Sequence, residues 1–154
     1  MKISTIPMED LAQILNFQLE SGGTARLVVT GDSMYPTFRH RKDVVILQPV
    51  SRELKKGDVI LYQRKSGQYV LHRIVTKPKN GEFICCGDNQ WEKEPMEASQ
   101  VVALVSSFVR KGKTIDNEKI GYRMWVAVLV GLFFLRRPLL WMRRTLGKIR
   151  RVFL

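Results

Sequence analysis

A chain of 154 residues with 45% apolar and 26% charged side chains can bury a real core, and it is too apolar to stay wholly disordered. Its net charge of +12 is unevenly spread: Lys119, Arg123, Arg136, Arg137, Arg143, Arg144, Lys148, Arg150 and Arg151 form a tail without acidic residues, leaving the body nearly balanced. The only cysteines, Cys85 and Cys86, are adjacent, which excludes a disulfide framework and a four-ligand zinc site.

In residues 1–24, Met8, Leu11, Ile14, Leu15 and Leu19 recur at helical spacing until Gly22 and Gly23, predicting a short amphipathic helix. Glu9, Asp10, Gln13, Asn16 and Gln18 interrupt it, so it is not read as a membrane span. The amino terminus also lacks the apolar run and small-residue cleavage site of an export signal.

Residues 25–109 change pattern to short β-rich runs, ARLVVT, DVVILQ, DVILYQR, YVLHRIVT, EFICC and VVALVSSFV, separated by Gly, Pro, Asn, Asp and Ser. They predict a mostly β domain built as a coiled sheet or partly open barrel, with Cys85 and Cys86 on a strand and at least one of them buried. Residues 110–119 are polar and read as a linker. Residues 120–154 carry an apolar run, Met124 to Leu135, of 12 residues, short of the ~18–20 that a spanning helix needs. With Arg136 and Arg137 behind it, Pro138 breaking it, and Trp125 and Trp141 suited to a headgroup boundary, the tail reads as a membrane-associated helix.

Chemistry is concentrated in GDSMYPTF, Gly31 to Phe38. A serine between a β-run and a proline turn can present its hydroxyl beside backbone N–H groups that could face an oxyanion. Taken alone, the motif fits a plain turn equally well. Serine needs a neighbouring base, and of the two histidines His40 lies in the basic loop RHRK while His72 lies on a strand. A third group would orient the imidazole. Asp88, just after EFICC, is a candidate that could equally form an Asx turn, whereas Asp43 and Asp58 begin apolar runs and read as turn setters.

In order and spacing these motifs resemble the boxes of type I signal peptidases and the related self-cleaving repressor peptidases. GDSMYPTF is similar to the serine box, KKGDVILYQ to the Gly-Asp strand start, LHRIV to the base box and CCGDNQ to the Gly-Asp-Asn box. A histidine rather than lysine in the base box resembles the endoplasmic-reticulum and archaeal branch. The resemblance implies Ser33 as nucleophile, His72 as general base and Asp88 as the acidic position, with Ser33, Asp32, Met34 and Tyr35 around the oxyanion and substrate. The branch's second aspartate is replaced within QWEKEP, so Asp88, Glu92 and Glu94 all stay open as the carboxylate that orients His72. Gly31 stands where bacterial enzymes have a hydroxyl, which leaves the oxyanion to backbone N–H groups.

The expected activity is therefore a serine endopeptidase cleaving a signal, leader or precursor peptide held extended at a sheet edge, without metal or organic cofactor. Two other readings stand beside it: a non-catalytic peptide-binding membrane adaptor on the same fold, and a self-processing repressor-type peptidase. An anionic membrane surface is the expected partner of residues 120–154. The apolar block in the tail argues against nucleic acid, and the missing export signal favours the cytoplasmic face. A histidine base also sets an activity limb near the ordinary imidazole pKa of ~6.5.

Overall fold

The computed structural model describes residues 21–76 and 79–132. The helix expected before Ser21 and the tail beyond Leu132 lie outside them. The β-rich runs become strands β1 (Ala25–Val28), β2 (Asp43–Gln48), β3 (Val59–Gln63), β4 (Tyr69–Ile74), β5 (Glu82–Cys86), β6 (Glu94–Glu97) and β7 (Val101–Arg110). Two further elements follow, β8 (Lys113–Asp116) and one helix, α1 (Ile120–Gly131).

All pairings are antiparallel, in the order β1-β2-β7-β3-β4-β5-β6. The long strand β7 is the spine. It pairs with β2 on one edge, and on the other with β3 through Val101–Leu104 and with β8 through Ser107–Arg110. Register shifts at Ile46/Leu47 and at Leu61/Tyr62 insert irregularities on both sides of β7. Such bulges increase local twist and bend the sheet, the physical basis of the expected coiling.

Two apolar clusters fill the curl. One joins Val45, Leu47, Val59, Leu61, Val105 and Phe108 to Met34 and Phe38 of the serine loop. The other joins Ile60, Tyr62, Ile74, Phe83, Cys85 and Met96. Phe38 packs edge-on against Phe108 at 5.1 Å between centroids, so the segment after the serine is anchored in the core. Both cysteines are buried, and neither forms a disulfide.

The stretch read as a linker is instead a β-hairpin. Lys111 and Gly112 both take positive φ, Lys111 at 51° and Gly112 at 76°. Two consecutive positive φ values make the tight turn whose twist suits paired strands, and β8 then returns along β7. Lysine at the first position, where Asn or Asp is usual, hid this turn in the sequence.

Helix α1 is short, ~18 Å at 1.5 Å per residue, and no described helix is long and apolar enough to cross a membrane. One side of α1 is fastened to the sheet. Tyr122 packs on Phe108 with centroids 5.9 Å apart, and Trp125 Nε1–H donates to Thr37 Oγ1 at 3.2 Å. A Cβ on Gly57 would meet Val126 Cγ1 at 2.9 Å, so the helix lies close over the turn before β3. Ile120, Met124, Val128 and Leu132, four residues apart, form an exposed apolar stripe.

Candidate active site

The serine loop is held by main-chain bonds. Tyr35 N–H donates to Asp32 O at 3.1 Å, Phe38 N–H to Met34 O at 2.9 Å, and Gly31 N–H to His40 Nδ1 at 2.7 Å. His40 thus supports the loop, a role its basic surroundings did not reveal. Gly31 takes φ 83°, a conformation that favours glycine. Behind the loop, Arg110 donates to Thr37 O at 2.7 Å and pairs with buried Asp43, which also accepts from Arg39 N–H at 2.9 Å. Burial pushes the Asp43 carboxyl up, but these hydrogen bonds and charges outweigh it and hold its pKa below the ordinary value. Asp58 accepts from Lys55 N–H and from Arg52. Asp43 and Asp58 therefore both fix the turns that lead into their strands.

The segment after β5 clamps this loop. Asn89 N–H donates to Ser33 O at 2.8 Å, and Asn89 Nδ2 donates to Asp32 O at 3.1 Å. A Cβ on Gly87 would sit 2.6 Å from Ser33 O, so only glycine admits this approach. Gly87 and Asn89 set where the serine stands.

Ser33, half-buried, and His72, 5% exposed, line one groove of about 350 Å³. Its walls include Leu27, Val28, Met34, Tyr69 and Leu71, from the strand edge before the serine and the strand that bears the histidine. Met34 is 1% exposed and belongs to the core as well as the groove wall, whereas Asp32 and Tyr35 are exposed. A larger cavity, about 770 Å³, lies between α1 and the sheet and includes neither Ser33 nor His72.

On the histidine side, Tyr62 OH lies 3.2 Å from His72 Nδ1 and donates to Glu94 Oε2 at 2.7 Å. Glu94 Oε2 is itself 3.9 Å from His72 Nδ1, and Arg64 grips both carboxylate oxygens of Glu94. The hydrogen bond from Arg64 leads the causes that hold the Glu94 pKa below the ordinary carboxylate value. Burial pulls His72 down to about 4, against the opposing charge of Glu94. The imidazole is therefore neutral at neutral pH, because its cation is poorly solvated.

Asp88 takes a different place from the one the resemblance implied. Its two oxygens accept from Arg73 Nε at 2.9 Å and Nη2 at 2.7 Å, in a pair whose side chains are both fully buried. Arg73 also donates to Gly57 O at 2.7 Å and to Tyr122 OH at 3.4 Å. Asp88 thus braces the strand of His72, while Glu94 is the carboxylate beside Nδ1; Glu92 is exposed. Sequence reasoning passed over Tyr62, Arg64 and Arg73. The available signals were a lone tyrosine in the buried run VILY and an arginine inside YVLHRIV, each a polar group that burial obliges to find a partner. Among the described residues no cluster of side chains could hold a metal.

No curated protein matches the chain. The family described as Peptidase S24-like matches residues 4–109, which span the serine loop, the histidine strand and the Gly-Asp-Asn segment, and the chain belongs to that family.

Proposed function

We propose that this protein is a serine endopeptidase in which Ser33 is the nucleophile and His72 the general base, acting on an extended segment of a signal, leader or precursor peptide. The observation that carries the reading is a serine and a neutral, buried histidine lining one groove within the matched family region. Ser33 Oγ attacks the scissile carbonyl carbon as its proton passes to His72 Nε2. Negative charge on the carbonyl oxygen is held by backbone N–H groups of the serine loop, and collapse breaks the C–N bond as His72 returns the proton to the departing amine. Water then attacks the ester, gives a proton to His72 and releases the acid, restoring Ser33. The groove walls on Leu27, Val28, Tyr69 and Leu71 suit a peptide added as a strand. Histidine as the base is what aligns the site with the endoplasmic-reticulum and archaeal signal peptidases.

Comparing the peptides of cells carrying wild-type protein or Ser33→Ala tests the reading. A precursor should accumulate uncut, with turnover lost by at least ~10³-fold. A variant retaining a tenth of wild-type cleavage would remove Ser33 from the nucleophile's role, and retained biological function without cleavage would favour the adaptor.

A second part of the proposal is peripheral attachment to an anionic membrane. The exposed stripe of Ile120, Met124, Val128 and Leu132 on α1 supports it, together with the basic residues that follow in sequence. Each Lys or Arg near such a surface contributes ~1 kcal/mol, screened by salt. The full chain should co-sediment with phosphatidylserine vesicles at low salt and be released at high salt; protein that stays in the supernatant at low salt excludes this attachment.

A further inference from the structure

We propose that Tyr62 is the positioning residue for His72, so that the third member of the catalytic set is a tyrosine relaying Glu94 rather than a carboxylate in direct contact. The inference rests on His72 as base and follows from counting protons. Glu94 is gripped through both oxygens by Arg64, so it stays ionised and can only accept. Tyr62 OH, 2.7 Å from Glu94 Oε2, must therefore spend its one proton on Glu94. Its oxygen then faces His72 Nδ1, 3.2 Å away, with lone pairs alone. Two acceptors cannot bond, so Nδ1 carries the proton of the neutral imidazole and donates it to Tyr62. That leaves Nε2 unprotonated and able to take the serine proton.

The elements make this arrangement rigid. In the β3–β4 pairing Tyr62 stands opposite Val70, diagonal to His72, and the shift of β3 against β7 falls between Leu61 and Tyr62. Tyr62 is completely buried, and its ring lies 6.1 Å from that of His72. When His72 takes the serine proton, its positive charge is answered through Nδ1–H, the Tyr62 hydroxyl and Glu94, with no proton leaving the chain of bonds. Arg64 is the outermost member, fixing the orientation of Glu94. The ionisable groups bearing on His72 are Glu94 from β6, Arg64 beyond β3 and Asp88 beyond β5.

The test is nitrogen-15 NMR of histidine-labelled full-length protein, in which His72 and His40 are the only histidines and His40→Gln assigns the signals. Near neutral pH, His72 should be the Nδ1–H tautomer in wild type and in Ser33→Ala. Tyr62→Phe keeps the ring and removes the hydroxyl, so His72 should change to the Nε2–H form preferred in water. Turnover of a synthetic peptide library should fall ~10–100-fold, in kcat rather than KM. Should Tyr62→Phe fail to fold, Glu94→Leu answers the same question, because removing the acceptor frees the Tyr62 proton to point at Nδ1 and should also shift the tautomer toward Nε2–H. An Nε2–H tautomer in wild type, or an Nδ1–H tautomer that survives whichever variant folds, overturns the relay. The expected tautomers in a protein that turns over no peptide would leave the relay standing and sink the peptidase reading instead.

Discussion

Two arginine–carboxylate pairs flank the histidine strand, and they differ in what surrounds them. Arg73 and Asp88 are both fully buried, bonded through two parallel N–H donors, and bonded onward to Gly57 and Tyr122. Arg64 and Glu94 keep 35% and 28% of their side-chain surface exposed and abut Tyr62. A sealed pair cannot exchange partners during a reaction, because removing either charge strands the other in an apolar interior. A half-open pair can respond to a proton arriving on its neighbour. The proposed mechanism therefore places chemistry with the weaker pair and architecture with the stronger.

The contrast is broken most directly by removing each carboxylate in turn. Asp88→Ala should cost ~3–5 kcal/mol of folding stability by leaving Arg73 buried and uncompensated, read as a lowered urea midpoint. Glu94→Gln should cost no more than ~1 kcal/mol, since its partner reaches solvent, yet should lower turnover more than its stability loss accounts for. If Glu94→Gln were the more destabilising of the two, the division between brace and chemistry would be reversed.

A smaller effect sharpens the same contrast through pH. His72 is held at about 4 in the folded chain, against an ordinary value of 6.5. Between those values the unfolded chain binds a proton that the folded chain refuses, so stability should fall as pH is lowered through that window and be independent of this group above it. The difference in urea midpoint between wild type and His72→Gln should narrow across the window if His72 is the stabilising member at neutral pH. A difference that stays constant from pH 6.5 to 4 would show that His72 titrates alike in both states. Activity should persist well below the imidazole range for the same reason.

Much of the sheet was legible because each strand is an apolar run closed by turn residues, and the serine loop because its spacing from LHRIV and CCGDNQ is informative even without coordinates. What was not legible depends on register. Asp88 and Glu94 stand six positions apart on either side of one loop, and only the pairing of β4, β5 and β6 decides which faces His72 and which faces Arg73. Tyr62 was hidden for the same reason, since its relation to His72 is diagonal across two strands rather than along one. The hairpin of β7 and β8 escaped because a polar run gives no alternation when its strand lies at the surface. Likewise the folded body runs further along the chain than the charge pattern suggested: Tyr122 and Trp125 belong to it, bonded to Arg73 and Thr37.

The paired cysteines carry a consequence for spectroscopy. Neighbouring strand residues point to opposite faces of a sheet, and both Cys85 and Cys86 are 0% exposed. Cys85 lies 3.3 Å from Met96 Sδ, and burial pushes its thiol up to about 12. Alkylating dyes require an accessible thiolate, so the native protein is a silent background for them. A single cysteine placed on the exposed side of α1, as in Val128→Cys, would then be the one position to take a fluorophore while the fold is intact. Labelling of the unsubstituted chain would report opening of β5, giving one reagent that reads both the surroundings of the helix and the integrity of the strand paired with the one that bears His72.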